Sequence, residues 1–552
     1  MTRGRRALIA GLALAIIAGG GYALYARRRV APKPVAVSTT SLVLRVTDAG
    51  KLVGARVLLI DPSGAALHMG NLDVYGQRQG AAACPIAPGV VGSWDGLILA
   101  TGSAELPVGA DGCVPSPAIP YGRYHVVAWR GIEYERFEAE VDVSAGRGQV
   151  ALDIALERAW TPHGTLAADL HVHAFASSDS RLPNPQRAIA QAAAGIQVVG
   201  LSDHNANGDL SAEIAALGLE GALASIASDE LTSDQLHVGV YPVTAVRGQP
   251  HGGGPGELPA LVHGSAQALF DYAHAMPSPA PGGPVVQLNH PRFRYAALFD
   301  SARWDGVSWP PPFPTSFDAV EVLAGYTAFN VAGDRRFDDG VRDFYTFVDH
   351  GHLLAPLGNS DTHDLNWVLD GTTRNYVYVD DPRAQPFDQP GFIAAIRARR
   401  VVATSGPWLD VEVAAAEGTT PTVGPGQILQ ARGTARGTAW VDITLAQARF
   451  VHTDRIRITA GTPAGPALVR TLDVPSGVRT FHWAGAVELG AADTWIGITA
   501  DGDTPLPLEQ TGSYQQDKWH RPGVTPFAIA SPILIDADGD HRWKRGDANL
   551  TW

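Results

Sequence analysis

Short apolar runs that end in histidine or an acidic residue are the feature that most constrains the fold of this chain. In chain order, the polar ends are Asp169-Leu-His171-Val-His173 with Ser178-Asp179 after it, Ser202-Asp203-His204-Asn205, Glu230 with His237, Asn289-His290-Pro291, and Gly358-Asn-Ser-Asp361-Thr-His363. Side chains two residues apart in a strand share a face, so His171 and His173 project together. Histidine and carboxylate are typical ligands of zinc, manganese and iron. We therefore expect a fold that brings several strand ends to one metal site.

Between residues 160 and 403 the pattern alternates between strands and helices. Residues 166–173 have a strand pattern, Asn184-Pro185 favours a helix start, and Gly195 favours the end of that helix. Residues 197–201 form the next strand-like run. This β-α-β order implies parallel strands, and in a closed α/β barrel their carboxyl ends share one mouth. The segment is therefore predicted to be a barrel-like α/β domain with the ligands at its mouth.

Both flanks of this segment have a β-rich pattern. Residues 41–158 and 406–552 contain short runs of alternating polarity, such as 41–47, 55–60 and 440–445, separated by turn residues. Such spacing is typical of antiparallel β-sandwiches. A chain of 552 residues also exceeds what one core normally supports. We therefore expect a multidomain protein with a sandwich-like domain on each side of the central one.

Residues 1–29 have the pattern of a targeting segment. Three arginines precede an apolar run at 7–26, which residues 27–29, also arginines, close. The run is long enough to cross a bilayer as a helix. We predict an uncleaved signal anchor followed by a linker at 30–40, with a cleaved signal peptide or a buried helix as alternatives. The protein is thus expected to be exported, either anchored and facing the periplasm or outside, or secreted after cleavage, with membrane contact through this segment only.

Whole-chain properties narrow the partners and the redox state. A net charge of −13 argues against nucleic acid as a partner. Cys84 and Cys113 are the only cysteines, and in an exported protein they are predicted to form a disulfide, with two buried thiols as the alternative. Asp536-Ala-Asp-Gly-Asp540 partly matches a calcium loop, but its glycine is misplaced and no glutamate closes it, so we favour a polar turn.

The ligand motifs together resemble those of the PHP (polymerase and histidinol phosphatase) metallohydrolases. The matching segments are Asp-Leu-His-Val-His at 169–173, Ser-Asp-His-Asn at 202–205, Asn-His-Pro at 289–291 and Ser-Asp-Thr-His at 360–363. The flanking regions and Arg130-Gly-Ile-Glu-Tyr-Glu135 are similar to the CehA/McbA branch of that family. The resemblance implies a central α/β PHP-type distorted (β/α)7 barrel at 160–403, flanked by N- and C-terminal β-sandwich-like domains.

The same resemblance implies two or three divalent ions of zinc, manganese or iron. It assigns His171, His173, Glu230 and Asp361 to a first ion, Glu230, His237 and His290 to a second, and Asp179, His204 and His363 to a third. Three other histidines, His251, His263 and His274, compete with His237 for its assignment. Some family members carry a histidine where this chain has Asp179.

The amidohydrolase barrels are the main structural alternative, because they also begin with His-x-His. Many of them bridge two metals with a carboxylated lysine. Residues 160–403 contain no lysine, and Glu230 is available for the bridging role. This difference favours the PHP resemblance, although one-metal amidohydrolases stay open.

The expected activity is metal-dependent hydrolysis of a small-molecule ester, with a phosphoester as the first expectation. In this hypothesis a metal-bridging hydroxide attacks the substrate and Asp203 tunes that hydroxide or orients the ligands. Arg292 and Arg374 are candidates for holding an anionic substrate, with structural roles as the alternative. A carbamate or carboxylic ester hydrolase is the second expectation. A non-catalytic, metal-containing binding protein of the cell envelope is the third.

Overall fold

A computed structural model describes residues 40–64, 66, 90–93, 96–108, 119–292, 296–324, 335–431, 437–507 and 524–551. The segment at 1–29, most of the linker at 30–40, and both Cys84 and Cys113 lie outside these residues, so the predictions about them stay predictions. Within these ranges, none of the helices combines the length and the apolar character that crossing a membrane requires.

Two facing sheets make up the N-terminal part. Their strands are β1 (Ser41–Asp48), β2 (Lys51–Leu52), β3 (Ala55–Ile60), β4 (Val90–Ser93), β5 (Gly96–Leu99), β6 (Ser103–Pro107), β7 (Arg123–Trp129), β8 (Phe137–Asp142) and β9 (Gln149–Leu156). One sheet has the order β2-β1-β6 with β9 also paired to β1, and the other has the order β4-β5-β3-β7-β8. Alternate residues of β1, namely Leu42, Leu44 and Val46, are buried in the shared core with Val57 and Val126.

The central part contains the strands and helices that carry the candidate ligands. They are β10 (Thr165–Val172), α1 (Asn184–Ala193), β11 (Val198–Leu201), α2 (Ser211–Leu217), β12 (Ala224–Ala227), β13 (Asp229–Thr232), β14 (His237–Tyr241), α3 (Ala266–Ala275), β15 (Val285–Leu288), α4 (Leu298–Ser301), β16 (Ala319–Ala324), α5 (Arg335–Asp349), β17 (Ala355–Asn359), β18 (Arg374–Tyr378), α6 (Gln389–Arg397) and β19 (Val401–Thr404). Short 3-10 turns lie at Pro250–Gly253 and Ala260–Val262. The predicted β-α-β start is confirmed, because β10, β11 and β12 pair in parallel and Gly195 after α1 has a φ of 79°.

The prediction of a (β/α)7 barrel is wrong. The chain is mostly β-sheet, with 41% strand and 14% helix, and the described residues contain no closed barrel. Strands β10–β12 belong to a ten-stranded sheet, whereas β13–β17 form a separate five-stranded sheet. The reason is antiparallel pairing: β14 follows β13 after the four residues 233–236, which is too short for a parallel crossover, and β18 runs antiparallel to both β10 and β19. Strands β13, β14 and β18 were not expected from the sequence.

The C-terminal part shares its main sheet with the central part. Its strands are β20 (Trp408–Ala414), β21 (Ile428–Gln430), β22 (Thr438–Ala446), β23 (Arg455–Thr462), β24 (Gly465–Asp473), β25 (Thr480–Glu488), β26 (Thr494–Asp501), β27 (Phe527–Asp536), β28 (Arg542–Arg545) and β29 (Ala548–Thr551). The large sheet has the order β12-β11-β10-β18-β19-β27-β26-β23-β24, with β21 paired to β27. The sheet β20-β22-β25 shares a core with it, which includes Val411, Ile443 and Ile498. The expected boundary at 403–406 therefore falls where one sheet continues from β19 to β27.

The aspartates at 536–540 lie in a turn after β27. The carboxylate of Asp536 accepts hydrogen bonds from the backbone N–H of Gly539 at 2.7 Å and of His541 at 3.2 Å. Carboxylate oxygens of Asp493, Asp536 and Asp538 lie within 4.8 Å of one another. Asp493 also accepts backbone N–H groups, from Ala537 at 3.0 Å and from Lys544. These contacts are those of a polar turn, because the acidic side chains cap backbone donors.

Side-chain hydrogen bonds join the ten-stranded sheet to the five-stranded sheet. They lie between β17 and the strands β10 and β18, with which β17 forms no ladder among the described residues. Asn375 in β18 accepts a hydrogen bond from Gly358 N at 2.8 Å and donates one to Gly358 O at 2.7 Å in β17. Asn359 accepts a hydrogen bond from Leu170 N in β10 at 2.9 Å. These amides replace the backbone partners that a continuous sheet would supply, and all four residues are in strands buried from solvent. The ends of β10 and β17 are thereby held side by side.

Replacing Asn375 by leucine should destabilise the protein. The substitution leaves the N–H and C=O of Gly358 buried without their amide partner, and each such group costs about 1 to 3 kcal/mol. We expect the free energy of unfolding to fall by about 2 to 4 kcal/mol in chemical denaturation. Asn549→Leu, on an exposed position of β29, is the matched control and should change stability little. An unchanged midpoint for Asn375→Leu would contradict the proposed role of this amide.

Candidate metal centre

All nine predicted metal ligands lie in one cluster. Their ligand atoms form four overlapping groups, within each of which the atoms are no more than 4.8 Å apart. The groups are His173, Asp179, His204 and His363; His171, His290 and Asp361; His171, His173 and Glu230; and His204, Glu230 and His237. The segments after β10, β11, β15 and β17 deliver ligands from the ends of parallel strands, while Glu230 and His237 come from the β13–β14 hairpin.

The local backbone explains how these side chains reach a common point. His171 and His173 alternate with Leu170 and Val172, which are buried in the hydrophobic core on the other face of β10. Past the strand ends, the backbone turns sharply: φ is 54° at Asn205, 27° at His290 and 52° at Asp361. Non-glycine residues rarely adopt this region, and such strain concentrates at functional sites.

The carboxylate of Glu230 is the centre of the cluster. Its oxygens lie 2.9 Å from His204 Nδ1, 3.0 Å from His171 Nε2, 3.2 Å from His237 Nδ1, and 3.4 Å from both His173 Nε2 and His290 Nε2. The side chain is 1% exposed. Five imidazoles around one buried carboxylate are consistent with the bridging role that the sequence suggested for Glu230.

Two further acids complete the cluster. Asp361 Oδ1 lies 3.1 Å from His173 Nε2 and 3.2 Å from His171 Nε2. Asp179 Oδ2 lies 3.0 Å from His363 Nε2 and 3.2 Å from His204 Nε2. The groups differ in part from the three sets implied by the resemblance. His173 also joins the Asp179 group, and His290 groups with His171 and Asp361 instead of with His237.

The three competing histidines of the sequence analysis lie outside these four groups. His274 contacts the carbonyl oxygen of Ser316 at 3.0 Å, and His251 packs against Gly256 in a turn of positive φ. His263 follows the 3-10 turn at Ala260–Val262. Of the four candidates in this interval, His237 is the one that contacts Glu230.

One side of the cluster is closed and the other side is open to solvent. The side chains of His171 and His173 have no exposed surface. Exposure rises to 15% at His363, 17% at His237 and 50% at Asp179. Structural metal sites are closed, whereas catalytic sites keep a position open for substrate. The graded exposure therefore leaves one part of this cluster accessible from solvent.

Charge at the cluster attracts cations. Burial disfavours a charged imidazole at His171, yet Asp361, Glu230 and Glu321 raise its pKa well above the usual value. Burial has the same effect at His204, where Glu230 and Asp179 raise the pKa to about 11. These carboxylates favour any positive charge at the imidazole nitrogens, whether a proton or a metal ion.

Glu321 contacts two of the candidate ligands, and the sequence analysis missed it. Its Oε1 lies 2.9 Å from His171 Nδ1 and accepts a hydrogen bond from Asn359 at 2.8 Å, while its Oε2 accepts one from His290 N at 2.8 Å. A carboxylate on the second nitrogen of a ligating histidine fixes the ring and raises its basicity. The signal was available, because Glu321 is the one charged residue in the buried strand Ala-Val-Glu-Val-Leu-Ala.

Asp203 and Arg187 hold the backbone that carries the ligands. Asp203 is fully buried, its Oδ1 accepts a hydrogen bond from Ala174 N at 2.6 Å, and burial raises its pKa to about 6. Arg187, in α1, donates to the carbonyl oxygens of His173 at 2.9 Å and Thr362 at 3.0 Å. Arg187 was also missed, since the sequence alone does not show that this arginine is buried.

The two candidate substrate arginines have structural partners. Arg374 is fully buried and donates to the carbonyl oxygens of Gly371 at 2.6 Å and Ala194 at 2.9 Å. Arg292 donates to Asp343 at 2.6 Å and Asp300 at 3.3 Å. These contacts support the structural alternative for both arginines, and the absence of exposed surface on Arg374 prevents it from touching a substrate in this conformation.

The buried histidine and carboxylate groups can hold a metal ion, and mixed nitrogen and oxygen donors suit zinc, manganese and iron alike. The sequence matches no model of a known protein family, and no curated protein matches it. The function is therefore inferred from the geometry and chemistry of this centre.

Glu321→Gln should weaken metal binding while leaving all nine ligands in place. The glutamine side chain lacks the negative charge that now lies beside His171. Its NH2 group would also face the nitrogen atoms of His171 and Asn359 that now contact the carboxylate of Glu321. We expect a loss of metal affinity of about 10- to 100-fold, measured by competition with a chelator. Glu412→Gln, on an exposed position of β20, should bind metal like the unmodified protein. Equal affinities for both variants would contradict the orienting role of Glu321.

Proposed function

We propose that this protein is a metal-dependent hydrolase of small phosphoesters. The observation that carries the proposal is the position of Glu230, which belongs to two of the four ligand groups and lies where the closed and the open sides of the cluster meet. A carboxylate shared in this way suits two cations held close together. The resemblance of the ligand motifs to PHP metallohydrolases agrees with this chemistry, although the barrel it implied is absent from the described residues.

Divalent ions in this centre would act as Lewis acids on the ester and lower the pKa of water near them. The chain itself supplies positioning. Glu321 holds the ring of His171, and Asp203 and Arg187 hold the backbone on which His173 is carried. The buried side, with His171 and His173, excludes water, while the side with Asp179 admits the substrate. No further general base needs to be assigned among these residues.

The charge of an occupied centre favours an anionic ester. Three divalent ions would carry more charge than the carboxylates of Asp179, Glu230, Asp361 and Glu321 combined, since each of those contributes a single negative charge, whereas two ions would only balance them. A centre with net positive charge attracts a phosphate group and stabilises charge that develops on it. This argument does not depend on the two arginines, and it is the reason for placing a phosphoester before an uncharged carbamate or carboxylic ester.

Removal of metal should abolish hydrolysis, and His171→Ala should lower it severely. We expect chelated protein to be inactive on an aryl phosphate, and zinc, manganese or iron to restore its activity. With metal present, His171→Ala should lower kcat/KM by roughly 10²- to 10³-fold, because it removes a candidate ligand atom that lies 3.0 Å from Glu230. His482→Ala, whose imidazole is exposed on β25, is the control and should keep full activity.

The other outcomes discriminate between the remaining functions. Faster hydrolysis of an aryl carbamate or an aryl carboxylic ester than of the aryl phosphate would replace the phosphoester proposal with the second expectation. Tight metal binding without hydrolysis of any of the three would support a metal-containing binding protein. Unchanged activity in His171→Ala would remove the cluster from catalysis.

A further inference from the structure

Phe175 is the most exposed of the large hydrophobic side chains in the part of the chain that the structure describes, at 68%. A phenyl ring is a large apolar surface, and leaving it in water forgoes the stabilisation that burial would give. Single exposed apolar residues are common on protein surfaces. The position of this one is what calls for an explanation.

Phe175 lies in the loop that carries two of the ligands. It follows His173 by two residues and precedes Asp179 by four, so its Cα is within about 7 Å of the first and about 14 Å of the second. Residues 175, 176, 178 and 179 are exposed, while Ser177 between them is buried. Phe175 and Asp179 are therefore both exposed residues of the loop that leads from His173 to Asp179.

Hydrogen bonds fix this loop on both sides of the ring. Ser177 N donates to Ala174 O at 3.1 Å, which closes a turn with Phe175 inside it, and Ala174 N donates to Asp203 at 2.6 Å. Further along, the Ser180 hydroxyl donates to His363 O at 2.6 Å. The turn is thus anchored to the ligand-bearing segments after β11 and β17. The backbone of Phe175 is held by the turn, which presents an exposed ring close in the chain to the ligand His173.

We propose that Phe175 determines specificity by contacting the leaving group, and that the substrates are aryl phosphoesters. This inference rests on the proposed hydrolase function. An aromatic ring binds another aromatic group through offset-stacked or edge-to-face contact and excludes water from it. The ester phosphate would occupy the centre while the aryl group lies against Phe175. A small, polar leaving group would make no such contact.

The test compares two phosphoesters in metal-loaded, full-length protein. We expect Phe175→Ala to raise KM for phenyl phosphate about tenfold with little change in kcat, because a contact made equally in the ground and transition states affects binding alone. For trifluoroethyl phosphate the same variant should behave like the unmodified protein. Phe175→Tyr, which keeps the ring, should retain the preference. Val307→Ala is the control at another exposed apolar residue, and both phosphoesters should be hydrolysed as before. Metal content should be equal in all four proteins.

Equal losses on both esters, or no loss on either, would overturn the role of Phe175 without affecting the proposed function. If the protein hydrolyses neither ester, the proposed function fails, and binding still tests the residue. In that case calorimetry should show tighter binding of phenylphosphonate than of methylphosphonate to the metal-loaded protein, with the difference lost in Phe175→Ala. Equal binding of the two phosphonates would overturn the inference independently of turnover.

Discussion

The rest of the centre depends on the burial of one carboxylate, that of Glu230. Removing a negative charge from water is costly unless positive partners surround it. Here five imidazoles lie between 2.9 and 3.4 Å away, contributed by four segments of chain, because His171 and His173 both come from β10 and the residue that follows it. Each segment must end at the same point for the charge to be compensated. Burial of Glu230 therefore links the folding of both central sheets to the formation of the metal centre.

The two central sheets meet through polar side chains and a few backbone hydrogen bonds, and the ligands converge there without a closed barrel in the described residues. A continuous backbone ladder would fix the neighbouring strands at one spacing. Between β17 and its neighbours β10 and β18, the amides of Asn359 and Asn375 bridge the strands, and backbone hydrogen bonds join β10 to the segment that follows β17. The close approach also needs Gly358, where a Cβ would lie 3.1 Å from Thr373 and 3.2 Å from Ala403. The gap between sheets is thus filled by groups that satisfy the backbone while leaving room for ligands at the strand ends.

Sequence reasoning singled out most of the candidate ligands because they follow short apolar runs where a strand ends, whereas Glu230 and His237, in the β13–β14 hairpin, were assigned from the PHP resemblance. Histidine and aspartate at such positions are costly without a function, so their positions are informative even without a fold. The β13–β14 hairpin and β18 could not be placed in the same way. Strand direction depends on pairing, and a short buried run looks the same in parallel and antiparallel sheets. This is why parallel order was assumed for all of the runs and why a barrel was expected.

Besides strand direction, the sequence did not show which polar side chains are buried. The sequence does not distinguish the roles of three arginines, Arg187, Arg292 and Arg374. Their different contacts follow from tertiary packing alone. Glu321 could have been recognised, because a single acid within an otherwise apolar strand of six residues is itself an anomaly. Pattern-breaking residues within strands and at strand ends were thus accessible to sequence analysis, whereas residues that act on the backbone were not.

Strain at the strand ends is the last element that makes the centre rigid. Asn205, His290 and Asp361 adopt positive φ values that are unfavourable for residues with a Cβ, and each lies in or beside the ligand cluster. Their conformations persist because surrounding hydrogen bonds fix them: Asn205 accepts a hydrogen bond from Thr232 N, His290 N donates to Glu321, and Asp361 N donates to His171 O at 2.8 Å. Hydrogen bonds within the chain therefore contribute to the orientation of the ligands. Preorganisation of this kind allows a site to keep an open side, since the ions need not supply the order that holds the ligands together.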